Sequence, residues 1–284
     1  MSTTDTASAS SMLRPRHGSG LRTKSTPSSA PEDDGALVVN ADDWGRDRQT
    51  TDRAYECFSC HTVSSVSAMV FMEDSERAAA IAQAKNLDTG LHLNFTTLFS
   101  ARALPCKLLE AQQRVASYLR RHRFAKVMFN PALRGPFEYL VATQLDEFLR
   151  LYGREAKRID GHHHMHLCEN VLFAGLLPAG TLVRRHFTFQ SGEKGLINRL
   201  YRSVIDARLA RRHELVDFLF PLVPMRLARL QRIVSLARHS IVELETHPVN
   251  CEEYQFLARS ALGCVFDIPI ANAFELRRQT GSRP

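Results

Sequence analysis

A parallel (β/α) barrel of the TIM-barrel type, irregular in its detail, is the fold class that this 284-residue sequence predicts. Three observations carry that expectation. Short apolar runs rich in valine, isoleucine and leucine alternate with longer stretches of helical periodicity, the order of repeated β–α units. The first run, Ala36-Leu37-Val38-Val39, is apolar throughout, as a strand covered on both faces must be. Polar residues collect where the runs stop. Asp42, Asp43, His92, His162 and His247 each stand at or just past such an end, and in a parallel barrel those ends share one rim.

Taken in order, residues 1–34 are rich in Ser, Thr, Pro, Ala and Gly and offer almost nothing to a core, so they are expected to form a disordered tail. The barrel domain is then residues 35–284. After the first strand and Asp42-Asp43-Trp44-Gly45, a helix is expected over 49–59, a strand over 63–70 and an alanine-rich helix over 74–85. A strand over 89–95 places His92 and Asn94 on one face. Helices over 108–121 and 137–152 follow, the second with Leu140, Gln144, Phe148 and Leu151 at helical spacing. Residues 156–166 read as strand end, loop and helix start, with helix continuing to about 177 and a strand over 181–184. Over 196–212 the pattern is amphipathic. Leu196, Ile197, Leu200, Tyr201, Val204 and Ile205 are expected to face inward, with Arg199, Arg202, Arg208, Arg211 and Arg212 largely outside. A strand over 216–220, a helix over 225–237, a strand over 240–245 and a helix over 252–260 complete the domain.

Composition narrows the function classes. No apolar run approaches the roughly 20 residues of a membrane span. A formal charge of +7 comes without any RNA-binding or helix-turn-helix signature, so no nucleic-acid partner is expected. Six cysteines are scattered rather than dense, and no apolar signal segment opens the chain, so a reducing cytoplasm is the expected compartment. A homodimer is left open.

The densest chemical signal is Asp160-Gly161-His162-His163-His164-Met165-His166, with four of the twelve histidines. Imidazoles need partners when buried and are common ligands of divalent metals, so the run reads as part of a metal site. If it is extended, Asp160, His162, His164 and His166 share one side and His163 takes the other. Asp42 and Asp43 are adjacent carboxylates at the end of a buried strand, which is costly unless positive charge meets them; a helix cap explains only one. One carboxylate and two imidazoles on one metal leave open positions for water and substrate. A neighbouring aspartate can serve as general base, and His247, held by Pro248, can protonate a leaving group. Such a set is suited to metal-assisted hydrolysis of an amide or ester.

Four segments, Asn40-Ala41-Asp42-Asp43-Trp44-Gly45, Thr89-Gly90-Leu91-His92-Leu93, Asp160 to His166, and Glu243-Leu244-Glu245-Thr246-His247-Pro248, resemble the signatures of the YdjC-like carbohydrate deacetylases in order and approximate spacing. The resemblance implies a TIM-barrel-like fold and removal of an acetyl group from an N-acetylated sugar with one divalent metal ion. It implies Asp43, His92 and His162 as metal ligands, Asp42 as base and His247 as acid or oxyanion-side partner. His162 is preferred to His164 because it matches the family's first histidine. Arg184 resembles a family arginine facing the site, with Arg185 competing for that position. The ligand types suit zinc, whereas the family is often described with magnesium. This chain departs from the family pattern at Trp44, Gly161 and Val249, where phenylalanine, serine and glycine are usual.

Two other readings carry distinct expectations. A non-catalytic metal- or sugar-binding barrel would keep the site without turnover. Cys57-Phe58-Ser59-Cys60-His61 formally matches a haem-attachment pattern, but no export signal accompanies it and it falls at the end of an expected barrel helix rather than in a haem pocket.

Overall fold

A computed structural model describes residues 35–121, 124–189, 195–259 and 270; the tail expected over 1–34 lies outside the described residues. Among them are seven strands: β1 (Ala36–Trp44), β2 (Ser65–Ala68), β3 (Asp88–Leu93), β4 (Arg158–Gly161), β5 (Leu182–Val183), β6 (Phe218–Pro221) and β7 (Ile241–Thr246). All pair in parallel, in the order β5-β4-β3-β2-β1-β7-β6. The two outer strands are stitched together. The Val183 N–H donates to the Glu214 carbonyl at 2.9 Å, that of Glu214 to Thr181 at 3.0 Å, and that of Thr188 to Leu219 at 2.8 Å. The architecture is therefore α/β and TIM-barrel-like, with seven strands and a thin seam between β5 and β6.

The two faces of the sheet differ in kind. Val39, Ala41, Val66, Ala68, Leu91, Leu93, Ile159, Val183, Val242 and Leu244 join the main apolar core with side chains from the surrounding helices. Side chains of the opposite parity, including Asn40, Ser65, Ser67, Arg158 and Glu243, are buried polar groups. The strict alternation of a pleated strand thus separates an apolar layer from a polar interior.

Helices α1 (Arg48–Ser59), α2 (Ser75–Lys85), α3 (Cys106–Arg121) and α4 (Arg134–Tyr152) lie where periodicity expects them. Asp47 caps α1 by accepting the Thr50 N–H at 2.8 Å. Asn86 and Gly153, both in the left-handed conformation, end α2 and α4. Helices α5 (Glu169–Leu172), α6 (Leu196–Leu209), α7 (Leu227–Ala237) and α8 (Cys251–Arg259) follow.

Two expectations are corrected. The helix expected to reach residue 177 is only the single turn of α5, because a 3-10 segment precedes it with His163 and His164 at φ 56° and 54°. Helix α6 buries only part of its expected inner face, Ile205 fully and Tyr201 in part. Leu196, Ile197, Leu200 and Val204 are 80%, 88%, 67% and 57% exposed, while Ile205, Asp206 and Leu209 are buried. Asp206 explains the choice of face: its carboxylate accepts hydrogen bonds from Arg185 and from the His186 N–H, anchoring that side of α6 inward.

Candidate active site

Strand β1 brings two consecutive carboxylates to one place. Alternation points Asn40 and Asp42 into the polar interior and should turn Asp43 away. Between Ala41 and Trp44 the register with β2 shifts, and Asp43 takes φ 65°. This local twist brings the Asp43 carboxylate beside His92 and His162, at a strain of about 1–3 kcal/mol for a non-glycine residue.

Around Asp43 the ligand-type atoms of Asp43, His92 and His162 all lie within 4.8 Å of one another. Asp43 Oδ1 is 2.8 Å from His162 Nδ1 and 3.4 Å from His92 Nε2. His92 Nδ1 lies 2.7 Å from Asp160 Oδ1, which in the neutral ring places the proton on Nδ1 and leaves the Nε2 lone pair facing the Asp43 oxygen. Both Asp43 Oδ1 and His92 Nε2 are buried without a hydrogen-bond partner. Two such electron-rich atoms facing each other out of water fit a cation between them. The surroundings favour positive charge at this point. Burial opposes charging of His92, yet Asp42 and Asp160 outweigh it and lift the imidazole to about 10, so without an ion Nε2 carries a proton that a bound cation would replace. Burial also opposes ionisation of Asp43, but His162 and His92 hold its carboxyl well below the usual range.

Asp42 sits in a different cradle. Its Oδ1 accepts from Asn40 Nδ2 at 2.7 Å and Arg184 Nη2 at 2.7 Å, and its Oδ2 accepts from Arg184 Nη1 at 2.6 Å. With fewer donors, Oδ2 is the oxygen with acceptor capacity to spare, and His247 Nε2 lies 3.9 Å from it. Arg184 is wholly buried and also meets Asp160, Glu243 and Glu245 at 3.0, 2.7 and 3.1 Å. Four carboxylates around one guanidinium exceed its charge. Burial first, and the Asp42 charge second, raise Glu245 well above the usual carboxylate range. Arg185 instead binds Asp206.

The histidine run is not extended beyond Gly161. The two left-handed residues send its rings apart: His162 to Asp43, His163 Nδ1 to Thr96 Oγ1 at 2.9 Å, His164 Nε2 to Glu245 at 3.3 Å, and His166 Nε2 to the Arg184 carbonyl at 2.9 Å. The expectation that Asp160, His162, His164 and His166 share one side fails for that reason. Burial depresses His163 and His166 to about 4, so both are neutral at pH 7.

Comparison with known proteins follows the same outline. The family model described as YdjC-like protein matches residues 36–262. The chain belongs to the YdjC-like family. Among curated YdjC-like relatives, a mouse carbohydrate deacetylase is 33% identical over 56% of this chain and 52% of its own length. A chitooligosaccharide deacetylase of Serratia marcescens is 30% identical over 46% of this chain and 50% of its own. The chain spans about half the length of the curated relatives it matches. A solved Enterococcus faecalis structure, described as a candidate cellobiose-phosphate cleavage protein, aligns with TM-score 0.59 at 16% identity, covering 85% of this chain and 98% of that one. At that identity the likeness concerns the fold.

Sequence reasoning missed the partners that organise the site. Glu243 and Glu245 lie two apart on β7, a spacing that puts both on the polar face; acidic residues at that interval within a buried strand were the available signal. Asn40 links Asp42, Ser67 and Arg158, the last through its Nη1 at 2.6 Å. The haem pattern finds no support: Cys57 is buried in the core, where burial pushes its thiol up to about 12, while Cys60 is exposed.

Proposed function

We propose that this protein is a metal-dependent hydrolase that removes an acetyl group from an N-acetylated sugar or glycan, with Asp43, His92 and His162 holding one divalent ion, Mg2+ or Zn2+. The observation that carries the reading is the pair of buried, unpartnered atoms Asp43 Oδ1 and His92 Nε2 set next to Asp42 and its Arg184 clamp. When bound, such an ion supplies Lewis acidity to the acetyl carbonyl and to water.

The chain's own residues do the rest. Asp42 Oδ2 takes the proton from the attacking water, and Arg184 and Asn40 hold the carboxylate in place while it does so. His247 is partly exposed at the rim and lies near Asp42, a position suited to delivering a proton to the departing sugar amine. Asp160 fixes the His92 ring so that Nε2 faces the ion. Free thiols at Cys57, Cys60, Cys106, Cys168 and Cys251 support a reducing, cytoplasmic setting.

Acetate release from N-acetylglucosamine oligomers with added metal, comparing parent with Asp42→Asn, tests the assignment. The variant should lose at least about 100-fold in kcat, the scale of a general base, while binding metal as the parent does. A variant that turns over at the parental rate removes Asp42 from the mechanism. A parent that binds metal but releases no acetate from any acetylated glycan leaves a binding protein.

A further inference from the structure

Away from the ion-binding residues, the outer face of α6 has a composition unlike a solvated helix. Leu196, Ile197, Leu200 and Val204 form one exposed apolar stripe, on the side opposite the buried Ile205 and Leu209. Arg199 flanks it on one edge; Arg208, on the other, is paired with Glu169 at 3.3 Å, and Arg211 and Arg212 follow the helix. Other exposed apolar side chains stand near the helix. Phe173 is 63% exposed beside Arg208, whose guanidinium lies 6.0 Å from the ring centre, and the exposed Val127 lines a cavity with Tyr201 and Arg202 of α6.

We propose that this face docks on a lipid bilayer bearing anionic headgroups. An apolar stripe edged by arginines matches the layering of such a surface, in which acyl chains lie beneath negative phosphates. A second copy of the chain fits less well. Symmetric pairing of α6 across a two-fold axis would bring the Arg199 side chains of the two copies towards each other. The acidic group of the helix, Asp206, cannot offset them, because it is buried and bound by Arg185 and His186. The attachment proposed is peripheral, and no helix among the described residues is long and apolar enough to cross a membrane.

The cavity beneath α6 is lined by Asn198, Tyr201 and Arg202 on one side and by His164 on the other, two positions from His162. A bilayer against the outer face of α6 would lie across the helix from that cavity, and the inference does not rest on the deacetylase reading.

Flotation of the full chain with vesicles of phosphatidylglycerol and phosphatidylcholine in equal parts, against vesicles of phosphatidylcholine alone, tests the proposal. The parent should bind the anionic vesicles, and raised salt should weaken that binding. The triple variant Leu196→Ser, Ile197→Ser, Leu200→Ser and the single variant Arg199→Glu should each bind at least tenfold more weakly. All four side chains are exposed, so unchanged thermal melting and metal affinity are expected in both variants. Failure of the parent to bind anionic vesicles overturns the proposal. So does parental binding by the triple variant, which would leave charge alone at work. Light scattering that shows a parental dimer converted to monomer by the triple substitution would assign the face to a second copy and overturn it too.

Discussion

Replacing Asp160 by asparagine probes the site through a residue that is not itself a proposed ligand. Asp160 Oδ1 meets His92 Nδ1 at 2.7 Å, while its Oδ2 accepts from Ser67 Oγ at 2.5 Å and lies 3.0 Å from Arg184 Nη2. Ser67 is positioned to donate to that oxygen and Arg184 can only donate, so an asparagine must turn its carbonyl towards them and its amide towards His92. His92 Nδ1 then has to accept, and the ring proton moves to Nε2, the atom that faces Asp43. A metal must displace that proton or turn the amide. Loss of such an orienting carboxylate typically costs about 10- to 100-fold in metal affinity, equivalent to about 1.4–2.7 kcal/mol. Calorimetric titration of metal-free protein with Zn2+ or Mg2+ should show that rise in Kd, and excess metal should restore much of the acetate release. A Kd within twofold of the parent, in a variant that melts normally, would refute the assignment of the His92 tautomer and with it the positioning role of Asp160.

Two further outcomes follow from contacts away from the proposed ligands. A Cβ on Gly90 would stand 2.9 Å from the Arg158 carbonyl oxygen and 3.0 Å from its Nε, so Gly90→Ala should displace Arg158 from Asn40 and destabilise the fold by about 1–3 kcal/mol in urea unfolding. An unchanged midpoint would show that the close fit is not needed. Burial opposes the charge of Asp206, but His186 and then Arg185 hold its carboxyl below the usual range, so its contribution is present above the unfolded value of about 3.9 and is lost as pH falls through the lower folded value. Asp206→Asn should therefore be less stable than the parent at pH 7 and converge on it in acid; a constant difference across that range would discard the linkage.

Much of the barrel was legible because alternating and helical periods are local properties. The strand β1, the helix α4 and the positions of His92 and His247 at strand ends all follow from them. What failed was decided by distant partners. Helix α6 carries apolar residues on two sides, and periodicity cannot say which side the body of the protein takes. Arg185 and His186, some 20 residues earlier, decide it by binding Asp206. The histidine run misled for a backbone reason, since two successive left-handed residues end an extended segment that composition alone does not interrupt. Arg184 was reached through family resemblance; its setting among Asp42, Asp160, Glu243 and Glu245 depends on strands that meet only when the sheet curls.

The kink at Asp43 has a wider meaning for how such a catalyst can change. On a flat ribbon, neighbours in sequence look in opposite directions, so consecutive side chains could not serve one pocket as the proposed proton acceptor and cation holder. Asp42 and Asp43 both reach His92, and that adjacency hangs on a single twisted peptide unit. An insertion or deletion that straightened it would leave both aspartates in the chain yet separate their duties, so the spacing of this pair is far less free to drift than either side chain's identity suggests.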